Sequence, residues 1–82
     1  MTSVRIGIVE DDDRLRADFV RVIDESGNLH CVGAYPSAEA ALSDLPSHAP
    51  DVVLMDINLP GMSGIEAVSR LRAMVPDAQV MM

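Results

Sequence analysis

The sequence predicts an α/β domain in which helices pack on both faces of a parallel sheet. Three observations carry that expectation. Short β-rich apolar runs at residues 4–9, 29–34 and 52–55 alternate with stretches whose apolar residues recur at helical spacing. The first and third of these runs are almost continuously apolar, as strands buried on both faces are. The segments between the runs are long enough for a helix in each crossover, and such connections are right-handed, which lays the strands parallel. The pattern leaves the strand order open.

Val4-Arg5-Ile6-Gly7-Ile8-Val9 reads as a central strand that ends abruptly in Glu10-Asp11-Asp12-Asp13. From Arg14 onward, Leu15, Phe19, Val22 and Ile23 recur at helical spacing, with Asp12 or Asp13 as N-cap and Gly27 as the stop. Leu29-His30-Cys31-Val32-Gly33-Ala34 reads as a second strand. Ser37 then caps a short helix over residues 38–45, which Pro46 ends. Val52-Val53-Leu54-Met55 is a third strand, bounded by Pro50 and by Asn58-Leu59-Pro60-Gly61, and it delivers Asp56 to its C-terminal mouth. After a turn through Leu59-Pro60-Gly61-Met62, Ser63-Gly64-Ile65-Glu66 matches a capping box. The helix that follows presents Ile65, Val68, Leu71 and Val75 as its apolar face, and Pro76 marks its end. Gln79-Val80-Met81-Met82 begins a fourth strand with an unpaired apolar edge, so the sheet reads as missing structure beyond it.

A chain of 82 residues makes at most one small domain, and no internal repeat or low-complexity segment divides it. Hydrophobic residues make up 49% and charged residues 23%, the profile of a globular chain. With Phe19 and Tyr35 as the only aromatics, the core must be built from aliphatic side chains, Ala and Met. A net charge of -7 opposes nonspecific attraction to nucleic acid or anionic membranes. No apolar run approaches a membrane span and the N-terminus lacks a signal-peptide layout, so the expectation is a cytoplasmic protein with no membrane partner. Cys31 has no second cysteine to pair with and reads as a buried strand thiol. His30 and His48 lack a second ligand at useful spacing, and no nucleotide-type glycine loop is present.

The acids carry the chemistry. Right-handed crossovers put the C-terminal ends of the first and third strands on one sheet edge, where ligands bind in open α/β sheets. If those strands are neighbours, Glu10, Asp11 and Asp56 converge, and their mutual repulsion calls for a cation. Mg²⁺ fits, because it takes a few carboxylates and leaves room for waters and a phosphoryl group. One carboxylate then acts as nucleophile toward phosphorus, and Asp56, solitary on its strand end, is the candidate, with Glu10 and Asp11 as the metal-holding pair. Taken alone, either cluster is equally a solvated loop or a helix cap; both falling at strand ends favours a site.

At Ile8-Val9-Glu10-Asp11-Asp12 and at Asp51-Val52-Val53-Leu54-Met55-Asp56-Ile57-Asn58-Leu59-Pro60-Gly61-Met62-Ser63-Gly64 the sequence resembles the receiver domain of two-component response regulators. The resemblance runs over all 82 residues, and the first half is most similar to receivers of the NarL/FixJ type. It implies a flavodoxin-like (CheY-like) doubly wound sheet of order 2-1-3-4-5, here running from the first strand through the fourth and truncated after it. It also implies that Asp56 accepts a phosphoryl group from a sensor histidine kinase. Glu10 and Asp11 hold Mg²⁺ or Mn²⁺, Asp11 directly and Glu10 through water, with Asp56 itself and the Asn58 backbone carbonyl completing the site. The family's Ser or Thr after the fourth strand and Lys after the fifth would lie beyond Met82.

On this reading the chain is a phosphorelay signalling module and not an enzyme, apart from slow autodephosphorylation. It contacts DNA only through an output domain that this chain does not contain, and homodimerisation is compatible with it. Two alternatives stand beside it. One is a non-catalytic interaction fragment that dimerises through the edge of Val80 to Met82. The other is a metal-dependent aspartyl-phosphate phosphatase, disfavoured because that class places an Asp-x-Asp motif on its first strand, whereas Asp56-Ile57-Asn58 has Asn in the second place.

Overall fold

The computed structural model describes residues 3–56, 61–62 and 64–81. Four strands, β1 (Val4–Val9), β2 (Leu29–Tyr35), β3 (Val52–Met55) and β4 (Gln79–Met81), form one sheet of order β2-β1-β3-β4 with every pair parallel. Helices α1 (Asp13–Glu25), α2 (Ala38–Asp44) and α3 (Gly64–Met74) fill the crossovers. The fold is the doubly wound, CheY-like sheet with first and third strands adjacent.

Local chemistry sets the element ends. Asp12 adopts an extended backbone and its carboxylate accepts the Leu15 amide at 3.0 Å, so it is the N-cap of α1. Ser26 caps the other end, and Gly27 at φ +87° reverses the chain in a conformation that costs a glycine nothing. Ser37 caps α2 by accepting the Ala40 amide at 3.1 Å. As the sequence suggests, α2 ends just before Pro46, at Asp44 with Leu45 as its C-cap, and the chain then tightens into a 3₁₀ turn over Leu45–His48. A proline near the start of such a turn is tolerated because its missing N–H has no helical bond to make there.

Strand alternation divides the core. Ile6 and Ile8 of β1 join Ile23 of α1 on one face, with Val52 and Leu54 of β3 packed against them. Val9, Val53 and Met55 face the other way, into a cluster completed by Tyr35, Ala38, Ala41, Leu45, Ala67, Leu71 and Val75. Ala38, Ala41 and Ala67 are fully buried, which lets α2 and α3 approach the sheet and each other closely.

Several side chains depart from the sequence expectation. Ile65 is 83% exposed, because the stripe that meets the sheet runs in four-residue steps through Ala67, Leu71 and Val75, and three-residue steps from Ile65 drift off it. Leu15, Phe19 and Val22 are exposed too, leaving Ile23 as the buried residue of α1. Met74 and Met81 are exposed, whereas Met55 is core. Cys31 is half-buried rather than buried; its thiol donates to the Gly33 carbonyl, and desolvation pushes it above the ordinary thiol range.

One polar contact crosses the larger cluster. The Tyr35 hydroxyl donates to Asp44 Oδ2 at 2.7 Å, and His48 Nε2 lies 3.1 Å from the same oxygen. The ring reaches Asp44 by lying back over Gly33, where a Cβ would come within 2.7 Å of the ring carbon Cζ, so only glycine leaves room.

Candidate functional site

The site is built where β1 and β3 end side by side. Each strand end is tied to its neighbour by main-chain bonds that continue the ladder past the last strand residue. The Glu10 amide donates to the Tyr35 carbonyl at 3.0 Å and the Asp56 amide to the Val9 carbonyl at 2.9 Å. The end of the central strand β1 is thus fixed to β2 and the end of β3 to β1, and the carboxylates of the two acidic ends converge.

Glu10, Asp11 and Asp56 each offer a carboxylate oxygen, and these lie within 4.8 Å of one another. Glu10 is buried, Asp56 half-buried and Asp11 exposed, so the cluster runs from the interior out to solvent. Burial holds the Glu10 carboxyl above the ordinary glutamate range, and the neighbouring Asp11 and Asp56 carboxyls push the same way. The Asp12 amide, which donates to Glu10 Oε2 at 3.2 Å, opposes that rise. A half-sheltered group of three oxygen donors, one of them reluctant to ionise without a compensating charge, fits a hard divalent cation. Beneath the acids, Ile8, Phe19, Leu54 and Met81 help to line an open cleft of about 310 Å³.

The three acids named from the sequence are therefore brought together. Asn58, named for its backbone carbonyl, and Ser63, named as a helix cap, lie outside the described residues. One participant was missed. Arg16 donates from Nη1 to the Glu10 carbonyl at 2.8 Å and from Nη2 to the Asp13 carboxylate. A signal existed in the sequence: a cation in the first turns of a helix opposes the macrodipole, so an arginine there, directly after an acidic run, calls for a local anionic partner.

The fold and the acid-lined edge define a doubly wound α/β domain with an acidic site at the carboxyl ends of its central strands. The family model for the response regulator receiver domain matches residues 6–82, and the chain belongs to that family. Among its relatives, the response regulator GacA of Pseudomonas viridiflava is 36% identical over 77 residues, which are 94% of this chain and 36% of GacA. The solved signal receiver domain of the response regulator NarL from Mycobacterium tuberculosis superposes with a TM-score of 0.87 at 31% identity, covering 98% of this chain and 64% of that one. The response regulator domain of Thermotoga maritima CheB gives a TM-score of 0.85 at 27% identity over 95% of this chain and 57% of that one. The chain thus spans about a third of the length of GacA. Among the described residues, no helix is long and apolar enough to cross a membrane.

Proposed function

We propose that this receiver domain accepts a phosphoryl group on Asp56, in a site where Glu10, Asp11 and Asp56 hold Mg²⁺ or Mn²⁺ and the Asn58 carbonyl completes the coordination. The observation that carries the reading is the convergence of three carboxylates from two strand ends within 4.8 Å. When bound, the cation offsets the carboxylate charge and the charge of the incoming phosphoryl group. An Asp56 oxygen forms the new bond to phosphorus while the bond from phosphorus to a kinase histidine nitrogen breaks, the nitrogen keeping the electron pair. Hydrolysis of the acyl phosphate restores the carboxylate.

A sensor histidine kinase is the donor on this reading, and the response is transmitted by an output domain that controls transcription, in line with the relative NarL, named as a transcriptional regulatory protein. Catalysis of any further reaction would belong to that output domain, as in relatives named protein-glutamate methylesterase. The test is intact-mass analysis after incubation with acetyl phosphate and Mg²⁺. One added phosphate on the wild type and none on Asp56→Asn supports the assignment; equal labelling of both removes it.

A second reading, an interaction fragment that dimerises through β4, has one observation in its favour: β4 is the last strand of the sheet and Met81 on it is 54% exposed. Sedimentation over a concentration series separates a monomer from such a dimer.

A further inference from the structure

We infer that Arg16 is the positioning residue of the acidic site: by bridging the Glu10 main-chain carbonyl and the Asp13 carboxylate it sets the carboxylates of Glu10 and Asp11 for a divalent cation. The inference rests on the reading above that these residues hold such a cation.

The geometry is specific. The Arg16 side chain is only 19% exposed, although it leaves the first turns of α1, whereas its partner Asp13 is 88% exposed. Its guanidinium is folded onto the β1–α1 loop and spends one nitrogen on a backbone oxygen, 2.8 Å from the Glu10 carbonyl. That carbonyl belongs to the planar peptide joining Glu10 to Asp11, so holding it fixes the plane from which both side chains depart. Because the Glu10 amide already donates to the Tyr35 carbonyl at 3.0 Å, the Glu10 main chain is gripped on both sides. The second guanidinium nitrogen is held by Asp13, and Asp12 caps the same helix end through the Leu15 amide, which anchors the arginine to the element that carries it. A planar fork makes both contacts at once; an ammonium, as a point donor, serves the carbonyl without the same hold on orientation.

Charge and positioning predict opposite signs. A guanidinium close to a cation site repels the cation, so if Arg16 acted by charge alone, its removal would tighten Mg²⁺ binding. If it positions the ligands, its removal weakens binding, as loss of outer contacts to metal ligands does elsewhere, by roughly 10-fold.

The experiment is a calorimetric Mg²⁺ titration of the 82-residue chain and its Arg16→Ala, Arg16→Lys and Asp13→Asn variants. It is paired with amide exchange at Glu10 and Asp12 without metal, and Val53 protection reports that each variant is folded. The expected result is weaker Mg²⁺ binding and faster Glu10 and Asp12 exchange in Arg16→Ala, partial recovery in Arg16→Lys, and a smaller weakening in Asp13→Asn, which loosens the anchor of the guanidinium but leaves its bond to the Glu10 carbonyl. Unchanged or tighter binding in a folded Arg16→Ala, or in Arg16→Lys should the alanine variant not fold, overturns the Arg16 assignment. A wild type that binds no Mg²⁺ overturns the cation reading and this inference with it. Failure of the cation reading is therefore seen in the wild type, and failure of the arginine assignment only in the variants.

Discussion

The two faces of the sheet are covered unequally. Among the described residues, ten side chains on the face of α2 and α3 form one buried cluster, with Leu45, Val53 and Leu71 completely removed from solvent. On the face of α1, the described residues that are buried are Ile6, Ile8 and Ile23, and around them lie half-exposed apolar side chains such as Val20, Cys31 and Leu54. Phe19 and Val22 on the same helix stay 39% and 62% exposed. The strands contribute equally apolar residues to both sides, so the difference comes from the helices: two cross one face and one crosses the other. The acidic site sits at the seam, since Val9 and Met55 before it belong to the well-covered face and Ile8 and Leu54 to the open one.

The comparison predicts a steep contrast in mutational cost. Leu71→Ala should lose about 2–5 kcal/mol, because a fully buried side chain leaves a cavity as well as forfeiting its transfer free energy. Urea denaturation measures it. A loss no larger than that of a surface substitution would break the comparison at its stronger end.

At the seam, Glu10→Gln should raise the urea midpoint of the metal-free chain at neutral pH while weakening Mg²⁺ binding. The sign follows from the raised Glu10 pKa: its contribution to stability is full below the ordinary glutamate range and is lost as pH rises through the folded value. At neutral pH the ionised group therefore opposes folding, and the amide removes that opposition. A lower midpoint in the variant would contradict this.

A smaller effect is expected from Tyr35→Phe, which removes the hydroxyl bond to Asp44. Asp44 is held below the ordinary aspartate range, first by Tyr35 and then by His48, with burial opposing. Its contribution is thus present above about pH 4 and lost as pH falls through the lowered value. Tyr35 is raised, first by burial and then by Asp44, so its contribution holds below about pH 10 and is lost above it. The variant should be less stable at neutral pH and show a flatter profile at both ends; an unchanged profile would mean the contact adds nothing. The smallest effect belongs to Val22→Ala on the open face, within about 0.5 kcal/mol.

Much of this was legible in the sequence, for reasons that differ by element. Asp12, Ser37 and Gly27 announce helix ends because caps are local chemistry, written within four residues. The strand runs announce themselves by composition, and their acidic ends by position. The order β2-β1-β3-β4 is not local; the alternating pattern left it open, and resemblance to receivers supplied it. Ile65 was misplaced because three- and four-residue steps both look helical, and only the neighbouring sheet decides between them. The exposure of Leu15, Phe19 and Val22 depends on how many helices share a face, which no single helix encodes. Arg16 escaped notice because its main partner is a backbone oxygen, which every residue carries and no motif marks.

The central claim is that Glu10, Asp11 and Asp56 form one cation site, and paramagnetic broadening of amide signals by substoichiometric Mn²⁺ tests it most directly. The account predicts that broadening is centred on Glu10, Asp11 and Asp56 together and is reversed by excess Mg²⁺. Broadening centred instead on Asp18 and Asp24 along α1, or confined to Asp11 through Asp13 with Asp56 untouched, would contradict it.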